Sequence, residues 1–322
     1  MKNIAVIAGG YTSERNISLK SGSQILNNLD KNLYNSYIVE VRKDGFYCKS
    51  ENNEYKVDLN HFSCIINNKT IQFDFAYISL HGSPGEDGKV QSMLDIINIP
   101  YSASGPISSA ITFDKFVCKK VLANTHITQA KSVIIKNDEP FSVDEICDYL
   151  GLPCFVKPNT AGSSYGVTKV YDKDKLIDAV NLAKTEDTIV IIEEFISGIE
   201  VSCGVLKTSK NSYVLPVTEI DTKNDYFDTE AKYDPKLTDE ITPARISAEE
   251  TKIVQENSSF IYDLLNCKGI VRIDFIIKNK IPYFLEANSI PGMSAESIVP
   301  KQIQTIGKTL TEILTEIIED SF

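Results

Sequence analysis

The sequence has no C-x-x-C pair. Its seven cysteines (48, 64, 118, 147, 154, 203 and 267) are odd in number and scattered. That fits free thiols in a reducing compartment and gives no support for a structural zinc site. No apolar run approaches the roughly 20 residues that a membrane helix needs. The first apolar stretch meets Gly9-Gly10 too soon for a signal-peptide core. Nor is there a long Lys/Arg run. Acidic residues number 44 against 33 basic, a formal charge of −11, which argues against a dominantly electrostatic nucleic-acid binder. Internal repeats and low-complexity tracts are also missing, and the N-x-[ST] matches at Asn16, Asn68 and Asn257 read as chance. What is present is ordinary globular composition, 42% hydrophobic and 24% charged, over 322 residues. That length exceeds one hydrophobic core and indicates two or three domains. The expectation is a soluble, cytoplasmic, multidomain protein.

Strands and helices alternate through the first hundred residues. Ile4–Ala8, Tyr37–Val41 and Phe75–Leu80 read as strands. Ile17, Ile25, Leu26 and Leu29 can share the inner face of one helix. Val90, Met93, Leu94 and Ile97 mark another at i, i+3, i+4, i+7. This alternation favours a parallel sheet covered by helices, an α/β unit. Further on, a helix over 113–122 leads to strand 132–135 and a helix opened by Ser142. Strands 154–158 and 167–171 flank a Gly/Ser loop at 159–166, a hairpin and not a strand–loop–helix P-loop. A helix over 173–183 precedes strands at 188–193, 200–206 and 214–219. Residues 221–245 read as a long loop, which inside a compact domain is usually functional. Ser247 and Glu250 form a capping box for a helix that turns Ile253, Val254, Ile261, Leu264 and Leu265 inward. Strands 269–277 and 283–287, joined by a turn at 278–280, lead to one closing helix over 303–317.

The sharpest chemical signal lies on those last two strands. Arg272 and Asp274 are two residues apart and share a sheet face, as do Glu286 and Asn288. If the strands pair, two carboxylates, an amide oxygen and an arginine converge. Like charges at that distance repel unless a cation bridges them, and all-oxygen donors suit Mg²⁺ with phosphate. A solvated polar face with a surface salt bridge is the plainer alternative. In the loop Asn159–Gly166, small residues let backbone N–H groups approach an anion, and Lys157 stands just before it. Such a hairpin can also be a simple turn. Lys115, Lys232 and Arg272 are further basic candidates. Glu193-Glu194-Phe195-Ile196 with Glu200 could meet a nucleotide base and ribose, or be the ordinary acidic end of an edge strand. Glu14 follows Gly9-Gly10 at a strand-to-helix turn. A carboxylate there suits a substrate ammonium, or merely the helix dipole. His81, in the loop His81–Gly88, is one of only three histidines, and a lone loop histidine is more often structural than catalytic. No G-x-G-x-x-G fingerprint is present.

Taken in order, these stretches resemble the D-alanine–D-alanine ligases of the ATP-grasp superfamily, over nearly the whole chain. The residues carrying the likeness are Gly9-Gly10 with Glu14, Arg15 and Ser18, and His81-Gly82 with Gly85–Gly88 and Gln91. Tyr101, Ser104-Gly105, Asp114-Lys115, Val156–Pro158, Gly162–Ser164 and Gly166 continue it. Asp228, Glu230–Tyr233, Arg272, Asp274, Glu286–Asn288 and Pro291–Ser294 complete it. The resemblance implies an N-terminal parallel α/β domain (1–104) followed by two ATP-grasp subdomains (105–186 and 187–322). It implies ATP-dependent joining of two D-alanines through a D-alanyl phosphate, for peptidoglycan synthesis in the cytoplasm by a homodimer.

By that likeness Lys115 and Lys157 hold the α- and β-phosphates, Ser163 and Ser164 lie on the phosphate loop, and Lys232 reaches the γ-phosphate. Backbone at Glu193, Glu194, Phe195 and Ile196 holds adenine, with Glu200 on the ribose. Asp274, Glu286 and Asn288 ligate two Mg²⁺ or Mn²⁺ ions. Glu14 holds the first ammonium, hydrogen-bonded with Ser163 and Tyr233. Arg272 and the Gly292 N–H form an oxyanion hole, and His81 and Ser297 complete the amino-acid sites. Thr229 replaces the usual aromatic, Ser102-Ala103 the usual Thr-Gly, and Phe113 a common methionine. Tyr233 favours dipeptide over D-lactate products. D-Serine or D-lactate as second substrate is the alternative. A non-catalytic ATP-binding regulator would be expected to lack the carboxylates or the arginine, and none is lost here.

Overall fold

The computed structural model describes residues 1–51, 53–137, 139–226 and 236–322. The chain begins with β1 (Lys2–Gly9), α1 (Arg15–Asn28), β2 (Tyr34–Arg42), β3 (Gly45–Ser50), β4 (Asn53–Lys56), β5 (Ser63–Ile66), β6 (Lys69–Gln72), β7 (Phe75–Ile78) and α2 (Lys89–Ile96). The first sheet has the order β4-β3-β2-β1-β7, and only β2, β1 and β7 run parallel. The expected parallel sheet is present as β2, β1 and β7, and residues 45–72 add antiparallel strands to it and beside it. Between β5 and β6, Asn67 and Asn68 have φ of 48° and 62° and close a two-residue hairpin. Asparagine tolerates that left-handed geometry, which hairpin twist requires. Of the residues expected on the inner face of α1, Ile25 and Leu29 are buried and Leu26 packs against their core, while Ser18, Ser21 and Gly22 make up the rest of that face. A Cβ on Gly22 would stand 2.7 Å from the Ala8 Cβ, so small residues let α1 sit close on β1.

Next come α3 (Pro106–Phe113), α4 (Lys115–Leu122), β8 (Thr128–Gln129), β9 (Ser132–Lys136), α5 (Val143–Leu150), β10 (Cys154–Pro158), β11 (Thr168–Val170), α6 (Leu176–Ala183) and β12 (Ile189–Glu194). The helix expected over 113–122 is α4, and a further helix, α3, precedes it. Asp114 takes an extended ψ of 100° and its carboxylate accepts from Val117 N, ending α3 and capping α4. The second sheet has the order β11-β10-β12-β9. Strand β12, beyond residue 187, hydrogen-bonds within this sheet. Helix α4 instead sends Cys118 and Leu122 into the core of the third sheet.

The third sheet is built from β13 (Ile199–Lys207), β14 (Ser212–Val214), β15 (Thr218–Thr222), β16 (Thr238–Ile241), β17 (Ile270–Lys278) and β18 (Ile281–Asn288), with β8 at its edge. The strand expected over 214–219 is two, because Leu215–Val217 leave the ladder between β14 and β15. The expected loop 221–245 is in part regular, since β15 and β16 pair. Helix α7 (Ala248–Leu264) starts at a full capping box, Ser247 with Glu250. Val254, Ile261 and Leu265 are buried as expected, whereas Leu264 is 44% exposed. The closing helix is split into α8 (Ile298–Thr305) and α9 (Leu310–Glu319). Gly307 takes a left-handed φ of 72° between them, and Thr309 with Glu312 caps the restart. Both pack under the first sheet, where Val299, Ile303, Ile313 and Leu314 share a core with Ile4, Val6 and Ile25.

Candidate functional site

A cavity of about 1130 Å³ lies where the three sheets meet. Its lining joins residues far apart in the chain: Glu14 and His81, then Lys115, Lys157 and the Gly/Ser loop, then β17, β18 and Gly292–Ser297. At one wall, β17 and β18 pair antiparallel with Arg272 opposite Asn288 and Asp274 opposite Glu286. Val271, Ile273 and Phe275 alternate into the core. Asp274 is buried and accepts from Arg272 Nε (2.9 Å) and Nη2 (2.8 Å), Ser202 Oγ (2.5 Å) and Asn288 Nδ2 (3.0 Å). Burial opposes the charge on Arg272, yet Asp274 and Glu286 outweigh it and hold the guanidinium firmly protonated. A register shift between Asp274 and Phe275 brings Phe284 opposite Phe275, so Leu285 is the extra residue of a bulge. Strict alternation back from Glu286 puts Leu285 in the core; in the fold Phe284 is buried there and Leu285 lines the cavity.

Lysines face this wall. Lys115 opens α4, which Asn159 staples to the end of β10: Asn159 Oδ1 accepts from Phe116 N at 3.0 Å. The Lys115 ammonium donates to Ala161 O at 2.6 Å and lies 3.5 Å from a Glu286 oxygen. Lys157 is buried and pairs with Glu193. Burial pushes its ammonium down, but Glu193 and Glu286 more than compensate, and the net shift is upward. In the loop beyond, Ser163 and Ser164 have φ of 52° and 58°. Consecutive left-handed non-glycine residues cost energy and cluster at ligand sites. Asp187 ties down the loop's base by accepting from Thr160 N (2.7 Å) and Oγ1 (2.6 Å).

The acidic stretch at 193–196 differs from its edge-strand reading. Strand β12 is paired on both sides, and Glu193 is a buried counter-ion shared by Lys157 and Lys119. Burial raises its carboxyl, but the two lysines overcome this and hold it at about 2. Glu194 accepts from Lys131 N at 2.7 Å. Past Glu194 the chain leaves the sheet. Ile196 and Glu200 line the cavity, whereas Phe195 is not in its lining and stacks beneath the Lys169 ammonium.

At the opposite end, Glu14 is buried at the start of α1 and accepts from Ser163 Oγ at 2.6 Å. A Cβ on Gly162 would stand 2.7 Å from Glu14 Oε1, so a larger residue there must displace the carboxylate or the loop. Burial pushes the His81 imidazole down, against the pull of Glu14, and Ser21 Oγ lies 3.3 Å from Nε2. Gly292 and Ser297 face each other across this end: a Cβ on Gly292 would stand 3.0 Å from Ser297 Oγ. Lys232 and Tyr233 lie outside the described residues, as do Asp228, Thr229 and Glu230.

Sequence reasoning gave no role to two charged groups. Glu86 lines the cavity, accepts from Gly82 N at 2.7 Å, and is pushed up to about 8 by burial and then by Glu14. Lys119 could have been found from its i+4 spacing to Lys115 on one helix face. Among the described residues no group of three or more His, Cys, Asp or Glu forms a metal cage. Asp274 and Glu286 with Asn288 are nonetheless a fitting partial set, since Mg²⁺ takes few protein carboxylates and completes its shell with water and phosphate. No helix among the described residues is long and apolar enough to cross a membrane.

Two sheets closing on a cavity with lysines on one side and carboxylates on the other define an ATP-grasp protein. Residues 3–104 match the family described as "D-ala D-ala ligase N-terminus", and 121–319 match "D-ala D-ala ligase C-terminus". The chain belongs to the D-alanine–D-alanine ligase family. A D-alanine–D-alanine ligase of Azobacteroides pseudotrichonymphae is 49% identical, with 99% of each chain covered. The VanG D-Ala:D-Ser ligase of Enterococcus faecalis superposes with a TM-score of 0.87 at 32% identity, covering 100% of this chain and 99% of that one. A Bacillus anthracis D-alanine–D-alanine ligase complexed with ATP gives 0.78 at 32% identity, covering 100% and 97%.

Proposed function

We propose that the protein joins two D-alanines to D-alanyl-D-alanine at the expense of ATP. The observation that carries this is the cavity itself, with Glu14–Ser163 at one end and Lys115, Lys157, Asp274 and Glu286 at the other. Glu14 takes the ammonium of the first D-alanine and aims its carboxylate at the γ-phosphate. Lys115 and Lys157 hold the α- and β-phosphates, and the loop around Ser163 and Ser164 closes over them. Residues 193–196 and Glu200 receive adenine and ribose. Asp274, Glu286 and Asn288 hold two divalent cations, Mg²⁺ or Mn²⁺, which when bound neutralise phosphate charge. Positioning and charge neutralisation are most of what phosphoryl transfer needs.

The carboxylate oxygen bonds to the γ-phosphorus as the bond to the β-bridging oxygen breaks, releasing ADP. The neutral amine of the second D-alanine, with His81 and Ser297 in its site, then attacks the acylphosphate carbonyl. Arg272 and the Gly292 N–H stabilise the oxyanion, phosphate leaves, and the amine sheds its proton. Closing the loops excludes the water that would hydrolyse the acylphosphate. We assign the work to three units, 1–104, 105–186 and 187–322, in a cytoplasmic homodimer serving peptidoglycan synthesis.

Purified protein with Mg²⁺ should release ADP only when D-alanine is present and yield the dipeptide by mass spectrometry. ADP release without dipeptide across a wide amino-acid screen would overturn the reading. The likeness to the D-Ala:D-Ser ligase supports a second reading, D-serine as second substrate. Direct competition between D-alanine and D-serine decides between them.

A further inference from the structure

We infer that Lys119 is a positioning residue for the nucleotide phosphates, sharing the Glu193 carboxylate so that Lys157 keeps its charge for the ligand. This deepens the ATP reading and rests on it. Lys119 lies one turn after Lys115 on α4 and is 6% exposed. It donates to Ala130 O at 2.9 Å and to Glu193 Oε1, while Lys157 pairs with Glu193 Oε2. Lys157 lines the cavity and Lys119 does not.

The arithmetic of charge explains the arrangement. A buried lysine without an anion tends to lose its proton. Paired alone with Glu193, Lys157 would keep its proton but form a neutral unit with little field for an incoming phosphate. With a second lysine on the same carboxylate, the trio carries a net positive charge directed at the cavity. Glu193 remains ionised, held at about 2 by the two lysines against its burial. Lys119 thus acts through Glu193 on Lys157 and touches no ligand.

The test is equilibrium binding of ADP with Mg²⁺, with adenosine as the ligand that lacks phosphates. Lys119→Met, and Lys119→Gln should Met fail to fold, should weaken ADP by about tenfold, the scale of one charge-assisted contact, and leave adenosine unchanged. Lys119→Arg, which restores the charge, should bind ADP nearly as wild type. Equal losses for ADP and adenosine would make Lys119 structural and overturn the inference. Unchanged ADP binding in Lys119→Met would overturn it too. Wild-type protein that binds no ADP would overturn the ATP reading itself, a distinct result.

Discussion

At the residue scale, the site depends on a few carboxylates whose surroundings differ sharply. Glu286 faces Asp274 across the strand pair and Lys115 across the cavity. Glu286→Gln keeps size and hydrogen bonding but removes the anion. We expect turnover to fall about 100-fold or more, the scale of losing a group that stabilises transition-state charge, with circular dichroism unchanged. Near-normal turnover would contradict the metal assignment. Glu86 offers a test with no kinetics. Its carboxyl is pushed from 4.5 up to about 8, first by burial and then by Glu14. Between those values the native state holds a proton that the unfolded chain has released, so this group's contribution to stability falls as pH rises. Glu86→Gln removes that dependence. Denaturant titrations should show the variant gaining on wild type as pH climbs from 4.5 to about 8, whereas a constant difference would show Glu86 ionised throughout.

At the scale of elements, turns and caps carry the argument. Gly162→Ala places a methyl 2.7 Å from Glu14 Oε1 and must push the carboxylate or the loop aside. The expected outcome is a raised KM for D-alanine at the first site with ATP affinity little altered, read from initial rates. Ser247→Ala removes the side-chain half of the α7 capping box, far from the cavity. It should cost about 1 kcal/mol in urea unfolding and leave turnover intact. The β17–β18 pairing was legible because alternation put Arg272 with Asp274 and Glu286 with Asn288, and the fold keeps both pairs. The hairpins at 45–72 were not read, although Asn67-Asn68 carried a turn signal. The break at Gly307 was hidden by apolar periodicity that continues across it, from Ile303 and Ile306 to Leu310 and Ile313. What no pattern could reveal was the shared burial of Glu193, Lys119 and Lys157, which depends on three elements meeting.

At the scale of the molecule, the cavity belongs to no single unit, and its ligands should hold the units together. A non-hydrolysable ATP analogue with Mg²⁺ at about 100 times its Kd should add about 2.7 kcal/mol of stability. The rise in melting temperature should vanish when Mg²⁺ is chelated; a rise that survives chelation would separate nucleotide binding from the metal. The first sheet and the last two helices share a core, so this stabilisation reaches both ends of the chain. The bulge at Leu285 has its own consequence for how the protein can change. It divides β18 into two lengths with independent phase: Pro282 and Phe284 are buried in the interior, while Glu286 and Asn288 line the cavity. A change before position 285 therefore need not alter which residues after it face the cavity. Deleting that one residue would fuse the two registers and force every later change to satisfy both.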